Sequence, residues 1–238
     1  MRRWFEKTDD PSICFTAFVF PSQMRYALYV TICLSYARVE ESSLKAIAER
    51  ETMRPLRWTS HDLESLPNEN GKRYEIIDGE LYVSKQPPWE HQFVCLQIAT
   101  LLQAWSIQTQ HGTANVAPGL IFAEDDDVAP DVIWISKERL ATSLWEDGKL
   151  HKSPELVVEV LSPGSANERR DREFKLKLYS RRGTDEYWIV DRQERRVEVY
   201  RREDAALTLV KTLSESDTLQ SPLLPGFTCK VSQFFTVF

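Results

Sequence analysis

The sequence predicts an α/β (α+β) protein: a mixed central sheet flanked by helices, with a β-hairpin added on its N-terminal side. Three observations carry this. Residues 156–161 are apolar except for Glu159 and lie between Pro154 and Pro163, the pattern of a short strand buried on both faces. Asp78-Gly79 stands between the β-prone runs 74–77 and 80–83, a strong hairpin signal. Residues 89–109 put Val94, Ile98, Leu101, Leu102 and Trp105 on one helical stripe.

The strand around Glu159 organises the rest. A buried ionised carboxylate costs several kcal/mol unless it is paired, hydrogen-bonded or bound to a metal, so Glu159 requires a partner. Val128-Ala129-Pro130-Asp131 opens a second β-rich run, and its proline suits a strand's first residue, where no ladder donor is needed. If the two strands are neighbours, Asp131 and Glu159 meet at one end of the sheet, where a hard cation with oxygen ligands, Mg2+ or Mn2+, holds both ionised. Farther on, Ser165-Ala166-Asn167-Glu168 reads as a capping box, and Gly183 as the left-handed stop of the helix it starts. On that helix Asp171, Lys175 and Tyr179 recur every four residues on one face, with Lys177 turned away. Lys175 is therefore the cation aimed at the two carboxylates.

Pro130-Asp131, Glu159-Val160-Leu161, a helix bearing Asp171-x-x-x-Lys175-x-x-x-Tyr179, and Glu186-Tyr187-Trp188-Ile189-Val190-Asp191 together resemble the PD-(D/E)XK nuclease superfamily. With Tyr74-Glu75-Ile76-Ile77-Asp78-Gly79-Glu80-Leu81 in front, the order is similar to the Uma-type restriction-endonuclease family, over roughly residues 56–238. The position two after the motif glutamate, usually lysine in the superfamily, is Leu161; in the Uma-type pattern the lysine moves to the following helix, matching Lys175. The resemblance implies a restriction-endonuclease-like fold and Mg2+- or Mn2+-dependent hydrolysis of phosphodiesters, with DNA as the expected partner. Asp131 and Glu159 would be the metal ligands, and Lys175 would complete the catalytic set. Asp171 and Tyr179 would support it. Glu80 gains a place near the metal from the resemblance, against its plain reading, like that of Glu75, as a solvated residue of a two-stranded ribbon. His91 falls where the family has a histidine and is a secondary candidate, against its ordinary role as a cap or packing residue. The alternative is a nuclease-fold domain that binds nucleic acid or acts as a scaffold without turnover.

Composition sets the frame. The 238 residues, 42% hydrophobic, suffice for one sizeable core, and a net charge of −6 with a pI near 5.4 argues against a generally basic nucleic-acid binder while leaving room for a local basic groove. Between Arg169 and Arg202 there are twelve Lys or Arg against seven Asp or Glu, read either as a solvated face or as a phosphate-tracking surface. Cys14, Cys33, Cys95 and Cys229 have no paired spacing, which indicates neither a zinc site nor a disulfide framework and fits a reduced cytoplasmic compartment. Residues 1–52 form an off-family extension with an interrupted apolar stretch, read as no membrane span; they read either as a poorly packed extension with a helix near 42–51 or as lying ahead of a natural start at Met53, with the nuclease domain over 53–238.

The remaining elements follow in order. Residues 60–66 resemble a short capped helix, 112–124 a strand, and the acidic run 124–127 a solvated turn. Residues 187–190 form another buried strand and 195–202 an amphipathic edge strand, with Val197 and Val199 inward. Residues 220–238 read as a loop and a closing segment packing Phe234, Phe235 and Phe238. A two-fold homodimer would match the symmetry of a double-strand cut; no residue pattern specifies one.

Overall fold

A computed structural model describes residues 56–67, 71–162 and 164–236; the extension 1–52 and Phe238 lie outside them. A short helix, α1 (Ser60–Ser65), starts where the Asp62 carboxylate accepts from both the N–H and the hydroxyl of Thr59. Strands β1 (Lys72–Ile77) and β2 (Glu80–Lys85) form the expected hairpin, turned by Asp78 at φ 53 and Gly79 at φ 76. Both central residues lie in the left-handed region, as a two-residue turn of this twist requires. Helix α2 (Trp89–Thr109) buries Val94, Ile98, Leu102 and Trp105, as their spacing predicts.

The predicted strand 112–124 is broken in two. β3 (Gly112–Val116) ends at Ala117, whose φ of 49 turns the chain, and Pro118-Gly119 leads into β4 (Leu120–Ala123). The acidic run is not a solvated turn throughout: Asp126 and Asp127 are buried in β5 (Asp126–Val128). Asp126 accepts the Asp78 N–H at 2.8 Å and pairs with Arg181 at 3.0 Å and with Arg182, so it ties the hairpin to a helix. Four antiparallel strands, in the order β2-β1-β5-β4, make this sheet.

The larger sheet has the order β10-β9-β8-β7-β6-β3. β6 (Val132–Ser136), followed by helix α3 (Lys137–Ser143), lies antiparallel to β7 (Leu156–Val160), and all of β7 is buried, as its apolar run predicts. β8 (Glu186–Asp191) runs parallel to β7, which makes the sheet mixed. A parallel neighbour needs a crossover. Here it is a three-part helix: α4 (Ser165–Arg169), a π-helical turn (Arg170–Lys175) and α5 (Leu176–Arg182), ended by Gly183 at φ 88. The predicted capping box does not form: Ser165 is already helical, and Gly164, which has no side chain to cap with, holds the cap position; the Glu168 N–H makes an ordinary helical bond to its carbonyl at 3.0 Å.

The strand read as an edge is interior. β9 (Arg196–Glu203) buries Val197 and Val199 but is covered by β10 (Ala206–Ser214), the true edge. The closing segment forms a two-stranded ribbon, β11 (Thr218–Gln220) with β12 (Thr228–Lys230), then a 3-10 turn (Val231–Phe234). Alternation along the strands divides the core into two layers. Val132, Trp134, Val158, Trp188 and Val197 face α2 and Phe234, while Ile133, Val157, Tyr187 and Ile189 face Leu178 and Tyr179 of α5. Among the described residues no helix is long and apolar enough to cross a membrane.

Candidate active site

Glu159 belongs to the second of these layers, flanked on its face by Val157 and Leu161. Its Oε1 accepts from Lys175 Nζ at 2.9 Å and from Tyr179 Oη at 2.9 Å, all three side chains being buried. The crossover helix thus presents Asp171, Lys175 and Tyr179 on one buried face, with Lys177 exposed. The π turn widens the backbone around Arg170 to Lys175, a local feature common where a helix carries function. Leu161 is buried in the apolar layer, and Lys175 supplies the ammonium beside Glu159.

Asp131 precedes β6, and its Oδ2 accepts the N–H of Val160 at 2.9 Å, so the two neighbouring strands place both acids at one sheet end. Its Oδ1 lies 3.4 Å from Arg73 Nη1 and 3.3 Å from His91 Nε2. The His91 approach is not aligned for hydrogen bonding, and both ring nitrogens are buried without a hydrogen-bond partner. Asp131, Glu159 and Lys175 line a cleft of about 480 Å³ with His91, Arg73 and Arg170.

The hairpin contributes a different glutamate from the one the resemblance favoured. Glu80 is exposed and accepts from Tyr82 Oη at 2.9 Å. Glu75 is the buried one: its Oε1 takes Lys175 Nζ at 3.0 Å and the Ala129 N–H at 3.1 Å, and Oε2 lies 3.7 Å from Arg170. Asp171 pairs with Arg170 Nε at 3.1 Å and lies 3.9 Å from Lys175. Much of the basic excess between 169 and 202 is held in internal pairs, among them Arg172 with Glu198, Arg196 with Asp191, and Arg201 with Glu186. Among the described residues, Arg73 and Arg170 are the arginines that line the cleft.

These neighbours divide the carboxyls. Burial, and then Asp131, Asp171 and Glu75, outweigh the attraction of Lys175 and push Glu159 up to about 8. Burial would also raise Asp131, but the close His91 ring, Lys175 and Arg73 overcome it and hold Asp131 at about 2. Glu75 is lowered in the same way: burial opposes, and Lys175, Arg170 and Arg73 prevail. Lys175 stays charged, since Glu159, Glu75 and Asp171 outweigh its burial.

Glu159 therefore keeps a proton in the folded state that the unfolded chain releases above its ordinary value of 4.5. Its contribution to stability is full below about pH 4.5 and is lost as pH rises through about 8, at a limiting slope of about 1.4 kcal/mol per pH unit. Asp131 acts at the other end, its contribution lost as pH falls from 3.8 towards about 2. Urea melts of metal-free protein should show a midpoint that falls between about pH 5 and 8, and Glu159→Gln should flatten that fall. An unchanged slope in the variant would assign the effect elsewhere.

The residues suit a hard divalent cation. Four buried carboxylates, Glu75, Asp131, Glu159 and Asp171, face three cations, Arg73, Arg170 and Lys175, and this surplus adds to burial in pushing Glu159 up. A cation at Asp131 and Glu159 would cancel it with oxygen donors alone, as Mg2+ and Mn2+ prefer.

The sheet order, the antiparallel pair carrying Asp131 and Glu159, and the crossover helix bringing Lys175 define a restriction-endonuclease-like α/β fold. The chain belongs to the Uma2 family, described as "Putative restriction endonuclease", whose model matches residues 60–232. Among solved structures it is similar to a "putative nuclease belonging to DUF820" from Anabaena variabilis, with 17% identity and a TM-score of 0.59 over 74% of this chain and 97% of that one. At that identity the likeness concerns the fold. A second match, the type IIG restriction endonuclease BpuSI, has 13% identity and a TM-score of 0.34 over 60% of this chain and 15% of that one, too low to carry an argument. No curated protein matches the chain.

Proposed function

We propose that the protein is a DNA endonuclease that hydrolyses phosphodiester bonds with Mg2+ or Mn2+ held by Asp131 and Glu159. The observation that carries this reading is the meeting of Asp131, Glu159 and Lys175, from three distant stretches of sequence, in one cleft with Arg73 and Arg170. The family description supports nucleic acid as the substrate. We place the nuclease domain at 53–238, which the family match over 60–232 supports.

When bound, the metal supplies Lewis-acid polarisation of the phosphate and lowers the pKa of a water. The protein's own groups do the rest. Val160 N–H fixes Asp131, while Lys175 and Tyr179 fix Glu159, so neither acid pays to reorganise when the ester binds. Tyr179, its hydroxyl driven well above its ordinary value by burial and Glu159, remains a hydrogen-bond donor at any physiological pH. Arg73 and Arg170 meet the non-bridging phosphate oxygens at the cleft. Lys175 Nζ, buried beside Glu159, orients the attacking water and offsets the negative charge that grows at phosphorus.

Digestion of supercoiled plasmid with Mg2+ or Mn2+ tests the proposal, with Asp131→Ala and Glu159→Ala prepared identically. Nicked and linear DNA should accumulate with the wild-type protein and fall by about 10²–10³-fold or more in either variant. Equal cleavage by the variants would assign the activity to a contaminant. Intact plasmid with both metals would favour the nuclease-fold scaffold.

A further inference from the structure

His91 and Cys95 are four residues apart on α2 and so share one face of the helix, turned towards Asp131. A ligand atom from each of His91, Cys95 and Asp131 lies within 4.8 Å of the others, and the three residues are 2%, 1% and 7% exposed. Both His91 ring nitrogens are buried with no hydrogen-bond partner, although one of them stands 3.3 Å from a carboxylate oxygen. Buried imidazoles normally satisfy at least one nitrogen, and here Nε2 faces the Asp131 carboxylate without closing a hydrogen bond to it. Nothing in the cysteine spacing points here, because two ligands come from one helix and the third from the residue before β6, 36 residues beyond Cys95.

We infer that His91, Cys95 and Asp131 form a binding site for a single transition ion of the zinc class, opening on the cleft. The donor set selects the ion. One imidazole nitrogen, one thiolate and one carboxylate suit Zn2+ or Co2+, whereas Mg2+ takes oxygen ligands and has little use for sulfur. Donors around a tetrahedral ion stand roughly 3.5 Å apart, as follows from bond lengths of about 2.0–2.3 Å, so the three groups need to close by only about 1 Å. Three protein ligands leave a fourth position, and His91 and Asp131 both line the cleft, which supplies it with water. Arg73, 3.4 Å from Asp131 Oδ1 and 24% exposed, is the cation that yields to the ion. On binding, the Cys95 thiol releases its proton to solvent and the metal–sulfur bond forms. The ion makes that release favourable by neutralising Asp131 beside the sulfur. Sharing Asp131, the ion competes with one held by Asp131 and Glu159.

Cobalt titration of the full chain tests the site, because thiolate ligation gives a near-ultraviolet charge-transfer band that oxygen ligands do not. The band should appear with one ion per chain and be displaced by Zn2+. It should persist in a variant whose only thiol is Cys95, made by Cys14→Ser, Cys33→Ser and Cys229→Ala. Cys95→Ala should abolish it and weaken cobalt binding by at least ~100-fold. A band that survives Cys95→Ala would overturn the inference, as would its loss in a single-thiol variant with wild-type circular dichroism. X-ray absorption of the unmutated zinc-loaded protein is independent of mutant folding: one sulfur in the coordination shell supports the site, and a shell of nitrogen and oxygen alone rejects it. Both measurements omit nucleic acid. A protein that binds the ion and cuts no DNA therefore keeps this site while defeating the nuclease reading.

Discussion

Replacing Lys175 by methionine is expected to abolish cleavage and to destabilise the protein by about 3–5 kcal/mol. The side chain is 1% exposed, and its ammonium lies 2.9 Å from Glu159, 3.0 Å from Glu75 and 3.9 Å from Asp171. Methionine fills similar volume but leaves three buried carboxyls without their shared cation, and removing one partner of a buried pair costs far more than the pair contributed. The carboxyls escape part of that cost by taking up protons, so the deficit should deepen as pH rises from about 5 to 8. Cleavage should fall by about 10²–10³-fold or more even where the variant is fully folded, since charge stabilisation at phosphorus is lost as well. Lys175→Arg should not rescue it, because a planar fork does not fit a pocket built for a point charge. Urea melts across pH, with plasmid digestion under folding conditions, separate the two effects. Normal cleavage by folded Lys175→Met would remove lysine from the mechanism.

Glu75 and Glu80 should behave as opposites although they flank the same turn. Glu75→Gln removes a buried charge bonded to Lys175 and the Ala129 N–H, and also breaks the approach of Arg170. A loss of about 2–4 kcal/mol and at least ~10-fold in cleavage is expected, because Lys175 is then held by Glu159 and Asp171 alone. Glu75 acts through Lys175 and should therefore shift the pH profile of cleavage as well as its height. Glu80→Gln, on an exposed residue bonded only to Tyr82 in its own strand, should stay within about 0.5 kcal/mol of wild type with an unaltered profile. The reverse pattern would place the hairpin's contribution on the wrong strand.

That contrast also marks where the sequence was legible. The common face of Asp171, Lys175 and Tyr179 follows from period-four spacing, the Asp78-Gly79 turn and the Gly183 stop from left-handed turn chemistry, whereas spacing alone leaves the β6–β7 pairing a condition that the structure meets. Glu159 stands out in the sequence because an acid inside an apolar run needs a partner, and the structure gives it Lys175 and Tyr179. The same argument applies to Glu75, which precedes Ile76 and Ile77, and β1 is indeed buried there because β5 pairs with its other edge at Ile76. A ribbon read from local sequence has no such third strand, and so Glu75 looked solvated. Long-range pairing likewise hid β10, which turns β9 from an edge into an interior strand, and sank Asp126 among Arg181, Arg182 and the hairpin. The π turn has no sequence signature, yet it carries Asp171 and Lys175.

A crystal of the protein soaked in Mn2+, measured at the manganese absorption edge, tests the central claim most directly. The account predicts an anomalous peak at coordinating distance, about 2.2 Å, from a carboxylate oxygen of Asp131 and one of Glu159 together. A peak touching neither acid, or the two carboxylates left without an ion at saturating Mn2+, would contradict it.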